Sequence, residues 1–265
     1  MWARPGYPAG VSETPWRTSI GRVAPNEILV RGYDLMEMIG RRSFGDVTFL
    51  LLSGELPDGN EGRMLEAMLV SAAEHSVVAP SVAAARYIAS TGVPIQTAVA
   101  AGVSGMGDHH GGAVEGAAKM LEEAGELRDD PKDAAEEIVR LLSERGERIP
   151  GYGHVVHDPD PRGRRLFEVA EDLGLRGRWC AIAEEIERAT ERQIGRRLSM
   201  NVDGAMAALL LELGLDPRLG KAFYVIGRTP GLVAHVFEEQ TRERPYRDPG
   251  WENVEYDGPP PRDLP

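Results

Sequence analysis

Residues Glu61 to Val103 read EGRMLEAMLVSAAEHSVVAPSVAAARYIASTGVPIQTAVAAGV, and their pattern decides the fold. Apolar positions recur at three- and four-residue intervals through Glu61–Ala73, Pro80–Ser90 and Pro94–Val103, with Thr91-Gly92 ending the second segment. This is the period of an amphipathic helix, in which residues i, i+3 and i+4 share one face. Upstream, Leu35, Met36, Met38 and Ile39, then Val47, Leu50 and Leu51, repeat at the same intervals, and Gly54 to Gly59 forms a loop. Farther upstream, Thr18–Ile20 and Ile28–Val30 flank Ala24-Pro25-Asn26 and predict one short β-hairpin.

Downstream, helices are expected at Gly112–Glu123, Pro131–Glu144, Arg162–Leu173, Trp179–Leu198, Gly204–Leu213, Arg218–Ile226 and Thr229–Glu239, before a polar, Pro-rich tail after Arg242. Strands do not alternate with helices, so a doubly wound α/β fold is disfavoured and the class is all-α. The acidic stretch from Leu121 to Leu142 reads as a solvated face and receives no function.

The 265 residues, 42% of them hydrophobic, suffice for one large domain or two modest ones. A formal charge of −12 supplies no broad positive field, which argues against a general binder of nucleic acid or anionic membrane. Among the 30 cationic residues lysine stands only at positions 119, 132 and 221. A GC-rich genome explains that bias; the arginines are equally planar forks suited to carboxylates. Cys180 is the sole cysteine, which excludes an internal disulfide and a Cys-based zinc site; beside Trp179 it reads as a core thiol. The longest apolar runs, such as Ala205–Leu211, fall far short of the roughly 20 residues of a membrane span. Met1–Pro15 has neither the basic start nor the apolar core of a signal peptide, so a cytoplasmic protein is expected.

Four segments look unusual for plain scaffold. In Gly107-Asp108-His109-His110-Gly111-Gly112-Ala113, Asp108 can cap a following helix, and a histidine at the positive helix end is held neutral. A neutral imidazole can donate to a developing enolate, as in the known triosephosphate isomerase case; a capped helix start with a surface histidine pair explains the same residues. Pro150-Gly151-Tyr152-Gly153-His154 predicts a tight turn presenting His154, and Asp160-Pro161-Arg162 predicts a capped helix start whose arginine can hold an anion. In Met200-Asn201-Val202-Asp203-Gly204-Ala205, either Asn201 or Asp203 can cap a helix, and a carboxylate there can also act as general base. In Gly227-Arg228-Thr229-Pro230-Gly231, Arg228 reads as a surface arginine or a carboxylate clamp, while His235 reads as a packed core histidine. A metal site recruiting His109-His110 or His154 and His157 is disfavoured, because no helix-borne zinc spacing, HExxH or CxxC is present.

In this order, the segments resemble the citrate synthase superfamily. The resemblance runs from Arg31-Gly32-Tyr33-Asp34 through Phe44–Leu52, Gly54-Glu55-Leu56-Pro57, Glu74-His75, His110-Gly111-Gly112-Ala113, Gly151-Tyr152-Gly153-His154, Asp160-Pro161-Arg162 and Asn201-Val202-Asp203 to Arg228-Thr229-Pro230-Gly231. It covers the chain from about Trp16 to Gly258. It implies a two-domain helical fold, with a large domain from residues 1–115 and 216–265, a small domain from 116–215, and a homodimer sharing active sites. By matching motifs, His110 and Asp203 would be the acid/base pair at the acetyl-CoA methyl group, and His154 would act on the oxaloacetate oxygen. His75, Arg162 and Arg228 would hold the dicarboxylate, joined by Arg247 or else Arg244 from a partner subunit. Coenzyme A, as the thioester substrate, would lie along Gly151, Tyr152 and Gly153, with no metal or redox cofactor.

Gly107-Asp108, Ala79-Pro80-Ser81 and Met200–Ala205 look most like the citryl-CoA lyase branch, as does a length shorter than a typical synthase, and the citrate synthase-like module of ATP-citrate lyase shares the Gly-Asp. The resemblance therefore implies cleavage of citryl-CoA to acetyl-CoA and oxaloacetate. The alternatives are a short synthase running the condensation, with acetyl-CoA or another acyl-CoA, and a non-catalytic homologue binding coenzyme A or a dicarboxylate. An asparagine that synthases often carry shortly after the His75 position is absent, since Val78 and Ala79 stand there.

Overall fold

Two tight turns organise the first sheet. A computed structural model describes residues 16–154, 156–248 and 250–264, so the reading of Met1–Pro15 lies outside the described residues. Strands β1 (Gly21–Ala24), β2 (Glu27–Val30) and β3 (Tyr33–Asp34) pair antiparallel in that order, in register Ala24↔Glu27 and Val30↔Tyr33. Pro25-Asn26 closes the first turn, and Arg31-Gly32 closes the second with φ of 51° and 90°. A two-residue loop with both central residues at positive φ matches the strand twist, which is why a glycine stands at position 32. Arg31 tolerates this conformation with its guanidinium anchored on the Leu51 carbonyl and the Ser19 hydroxyl, each at 2.9 Å.

The predicted hairpin is thus present, but its first strand is Gly21–Ala24 rather than Thr18–Ile20. The two-residue turn sets the register from Ala24 backwards, and Tyr33–Asp34 adds a third strand just before the helical pattern that begins at Leu35. Two helices follow, α1 (Leu35–Met38) and α2 (Phe44–Ser53). A reciprocal capping box between Ser43 and Asp46 starts the second, and Gly54 ends it in the left-handed region.

The chain divides into two compact units between Arg63 and Met64, a point inside α3 (Glu61–Ala72). The second unit continues through α4 (Pro80–Ala89), α5 (Ile95–Ser104), α6 (Ala113–Leu127), α7 (Pro131–Arg145), α8 (Pro161–Asp172), α9 (Arg178–Ile194), α10 (Val202–Glu212) and α11 (Gly220–Arg242). Helix α10 buries every residue from Ala205 to Leu211 and packs against α6, α8 and α9. A helix apolar on all faces belongs in the interior, so the longest apolar run of the sequence becomes the core of this unit. A second cluster joins Val82 and Ala85 of α4 and Ala98 of α5 to Leu232 and Val236 of α11. Cys180 is buried, and that burial pushes its thiol well above the usual range. Among the described residues no helix is long and apolar enough to cross a membrane.

The largest departure from the sequence pattern is α11. Arg218–Ile226 and Thr229–Glu239 are not two helices; Pro217–Leu219 is a short 3₁₀ turn, and one helix then runs from Gly220 through Pro230 to Arg242. Gly227 and Gly231, which resemble turn residues, sit one helical turn apart against the end of α3. A Cβ at Gly227 would lie 2.8 Å from the Leu69 carbonyl oxygen, and one at Gly231 would lie 2.2 Å from that of Ala73. The glycines therefore permit a close backbone approach rather than a bend, and the proline removes one donor from a helix supported along its length.

Candidate active site

The turn carrying His154 is fixed against the start of α10 by a short backbone ladder. Gly153 N donates to Ser199 O at 2.7 Å, Asn201 N donates to Gly151 O at 3.0 Å, and Asn201 Nδ2 donates to Gly153 O at 2.7 Å. Gly151 (φ 82°) and Gly204 face each other so closely that a Cβ on Gly204 would lie 2.5 Å from the Gly151 oxygen. Asn201 caps α10 by accepting from the N–H groups of Asp203 and Gly204, which decides the capping alternative and leaves the Asp203 carboxylate free of that task. Asp203 keeps some access to the cavity it lines, and loss of hydration raises its pKa to about 6.

His154 is held in one protonation form. Its Nδ1 accepts backbone N–H groups from Val156 and His157, both at 3.0 Å. A nitrogen that receives two donors carries no proton, so the neutral ring bears its hydrogen on Nε2. Burial pushes the His154 pKa down; His157, Arg162 and His75 add to this, and Asp160 opposes it.

His110 is fixed in the opposite tautomer. Residues 107 to 110 form a tight hairpin, with Gly107 and His110 exchanging backbone hydrogen bonds at 2.9 Å. This turn delivers His110 Nε2 to Ser81, 2.8 Å from Oγ and 3.4 Å from the backbone N–H. The N–H can only donate, so His110 Nε2 accepts and Nδ1 carries the proton. Burial lowers the His110 pKa, followed by the repulsion of Arg228 and His75. The positive helix end beside this histidine is that of α4, not the expected α6, whose cap is Gly112. Asp108 caps no helix and pairs instead with Lys221 at 2.6 Å, while His109 is exposed at the hairpin tip. The hairpin brings the His110 imidazole to the start of α4, an arrangement the Gly107-Asp108-His109-His110-Gly111-Gly112 pattern did not reveal.

Two arginines complete the polar wall. Buried Asp160 caps α8, takes the Arg162 guanidinium through Nε and Nη2 at 3.0 and 2.8 Å, and also accepts Val202 N. Although burial works to raise its pKa, these bonds hold the Asp160 carboxyl below its ordinary value. Arg228 is 1% exposed, bonds the Ala72 carbonyl through Nε at 2.7 Å and lies 4.9 Å above the Tyr224 ring. Its Nη1 is buried with no hydrogen-bond partner among the described residues. Leaving such a donor unpaired is costly unless an anion completes it. His75, His110, His154, Arg162, Asp203, Tyr224 and Arg228 line one cavity of about 470 Å³, a volume within the range of small-molecule sites.

Other expected residues lie elsewhere. The Tyr152 hydroxyl donates to the Ala183 carbonyl at 2.7 Å, and of Gly151, Tyr152 and Gly153 only Gly153 is exposed. Arg247 is absent from the cavity walls and forks onto buried Glu239 at 2.6 and 2.9 Å, a carboxylate that also holds Arg86. His235 is no apolar core histidine: it bonds Glu74 at 3.0 Å and faces Arg86, because α11 turns that side chain toward a charged seam.

Sequence reasoning assigned no role to Ser81 or Tyr224, and it missed that His75 joins His154 and His157. Ring nitrogens of these three histidines lie within 4.8 Å of one another. Zinc requires metal–nitrogen bonds of about 2.0–2.1 Å and an unprotonated nitrogen from each ring. His154 offers only a protonated Nε2, since Nδ1 already accepts two backbone donors, so the cluster suits an oxygen ligand better than a metal.

Comparison with known proteins agrees with this fold. Residues 58–248 match the family model "Citrate synthase, C-terminal domain", and the chain belongs to the citrate synthase family. It is similar to citryl-CoA lyase from Hydrogenobacter thermophilus, with 45% identity and a TM-score of 0.89 over 94% of this chain and 97% of that one. ATP citrate lyase from Methanothrix soehngenii, in complex with citrate and coenzyme A, superimposes with a TM-score of 0.82 at 24% identity, covering 94% of this chain and 42% of that one. Citrate synthase 2 of Bacillus subtilis is 32% identical over 213 residues, covering 78% of this chain and 54% of that protein. The chain spans about half the length of the curated relatives it matches.

Proposed function

We propose that the chain is a citryl-CoA lyase, cleaving citryl-CoA to acetyl-CoA and oxaloacetate by a retro-aldol step. The observation that carries this reading is the cavity's division of labour: a buried arginine with an unpaired Nη1, two imidazoles locked as donors, and a carboxyl whose pKa sits at about 6. Arg228 and Arg162 bind the carboxylates of the citryl group, as planar forks do. The His154 Nε2–H donates to the oxygen that is hydroxyl in citryl-CoA and ketone in oxaloacetate. The His110 Nδ1–H donates to the thioester oxygen as it gains enolate charge, which makes departure of that carbon feasible. Protonated Asp203 then delivers its proton to the methylene carbon and completes acetyl-CoA. The 45% likeness to a citryl-CoA lyase supports this direction.

On this reading coenzyme A runs along the exposed edge at Gly153, and the large domain (1–115 with 216–265) and small domain (116–215) close over the substrate. The enzyme is a cytoplasmic homodimer, and Arg247, held by Glu239, or Arg244 reaches the partner's cavity. No metal or redox cofactor takes part. A second reading, a short synthase that also hydrolyses the thioester, is favoured by the citrate synthase relatives.

Paired assays on one purified sample separate the two. Oxaloacetate release from citryl-CoA is coupled to NADH oxidation by malate dehydrogenase, and free thiol is followed with acetyl-CoA plus oxaloacetate. Fast oxaloacetate release with negligible thiol is the expected result; thiol at a comparable rate establishes the synthase, and silence in both from folded protein overturns the enzymatic reading.

A further inference from the structure

Cleavage of a carbon–carbon bond next to a hydroxyl requires a group that takes the hydroxyl proton. The two fixed donors cannot. His154 accepts backbone donors at Nδ1 and so presents only N–H to the cavity; His110 turns its accepting Nε2 to Ser81 and presents Nδ1–H. The other titratable cavity groups are also committed. Asp108 is paired with Lys221, the arginines stay protonated, and burial pushes the Tyr224 hydroxyl up. His109 is exposed at the hairpin tip, and Asp203 serves the carbon end.

His75 remains. It lines the cavity, and its imidazole has no hydrogen-bond partner among the described residues. Its ring is parallel to that of His154, with centroids 5.6 Å apart and 9° between planes. With ring nitrogens within 4.8 Å of each other, one oxygen can sit within hydrogen-bond reach, about 2.8 Å, of both. One imidazole then donates to that oxygen while the other accepts its proton.

We infer that His75 is a catalytic residue, the base that takes the tertiary hydroxyl proton of citryl-CoA, with His154 a fixed donor to the same oxygen. This deepens the lyase reading and rests on it. The hydroxyl proton passes to the free nitrogen of His75, the O–H pair becomes the ketone of oxaloacetate, and the broken carbon–carbon bond becomes the enolate of acetyl-CoA. Asp203 gives that carbon its proton, so one proton is taken at His75, one is released at Asp203, and solvent exchange resets both.

The test uses the full-length His75→Gln and His157→Gln proteins with two readouts. One is single-turnover cleavage of citryl-CoA; the other is exchange of the acetyl-CoA methyl hydrogens in D₂O with an unreactive dicarboxylate present, a reaction of Asp203 and His110 alone. With citryl-CoA and the dicarboxylate both saturating, so that any weakened carboxylate binding by His75→Gln is compensated, cleavage is expected to fall about 10²–10⁴-fold, the range a positioned general base contributes, and exchange to fall far less. A His75→Ala protein is expected to regain cleavage with added imidazole, which a packing role would not produce. Cleavage within threefold of wild type in His75→Gln, a loss confined to KM, or loss in His157→Gln alone overturns the assignment. Loss of exchange in the unmodified protein overturns instead the acid/base reading on which it rests.

Discussion

The two histidines His154 and His110 both line the cavity and are held differently. His154 is fixed by two backbone N–H groups on Nδ1, within a turn that is itself laddered to the start of α10. His110 is fixed through Nε2 by one serine, chiefly its hydroxyl at 2.8 Å, with a longer backbone contact at 3.4 Å. The first tautomer cannot be altered by removing a side chain, whereas the second can. Between them Asp203 has no such constraint, and its pKa of about 6 lets it change charge near neutrality. On the proposed function, a cavity with two fixed donors and one switchable carboxyl has polarity built in: the donors would stabilise oxygen, and the carboxyl would move the proton to carbon.

The largest effect is expected where the comparison has no redundancy. Asp203→Asn should lower citryl-CoA cleavage by about 10³-fold or more in a single-turnover assay, since no other carboxyl can replace it. It should also stabilise the fold at alkaline pH. A carboxyl whose folded pKa is raised to about 6 contributes stability fully present below its unfolded pKa and lost as pH rises through 6. The neutral asparagine escapes that loss, so thermal melts at pH 8 should favour Asp203→Asn by about 2 kcal/mol, with the gap vanishing near pH 4.

The next effect attacks the backbone that fixes His154. Gly204→Ala places a Cβ 2.5 Å from the Gly151 oxygen, so the ladder must separate. Cleavage is expected to fall by about 10²-fold through misplacement, with about 1–3 kcal/mol lost in denaturant unfolding.

The smallest effect probes the weaker lock. Ser81→Ala removes the hydroxyl but keeps the backbone N–H, so His110 should lose about tenfold in kcat with KM little changed, a partial release of its tautomer. A loss as large as that of Gly204→Ala would show that the two ends are not held as unequally as their contacts indicate.

These contrasts also explain what the sequence could carry. The helices were legible because the 3.6-residue period survives in every amphipathic segment, and Gly151-Tyr152-Gly153 was legible as a turn because positive φ demands glycine there. Gly227 and Gly231 looked equivalent and are not: their task is close approach to Leu69 and Ala73, each 158 residues away in the chain, which no local pattern encodes. For the same reason the Ser81–His110 contact and the His75–His154 pairing were invisible, the first being set by how α4 meets the 107–110 hairpin and the second by how the loop after α3 meets the 151–154 turn. Of the two sequence readings of Arg228, its burial removes the surface arginine, and the buried Nη1 without a partner among the described residues exists only in three dimensions.

The pH dependence of two opposite proton transfers tests the account most directly. Single-turnover cleavage of citryl-CoA requires Asp203 protonated, and deuterium exchange into the acetyl-CoA methyl group requires it ionised. The account predicts that cleavage falls and exchange rises through the same pKa near 6, and that both transitions disappear in Asp203→Asn. Profiles that move in the same direction, or that keep their shape in Asp203→Asn, would contradict it.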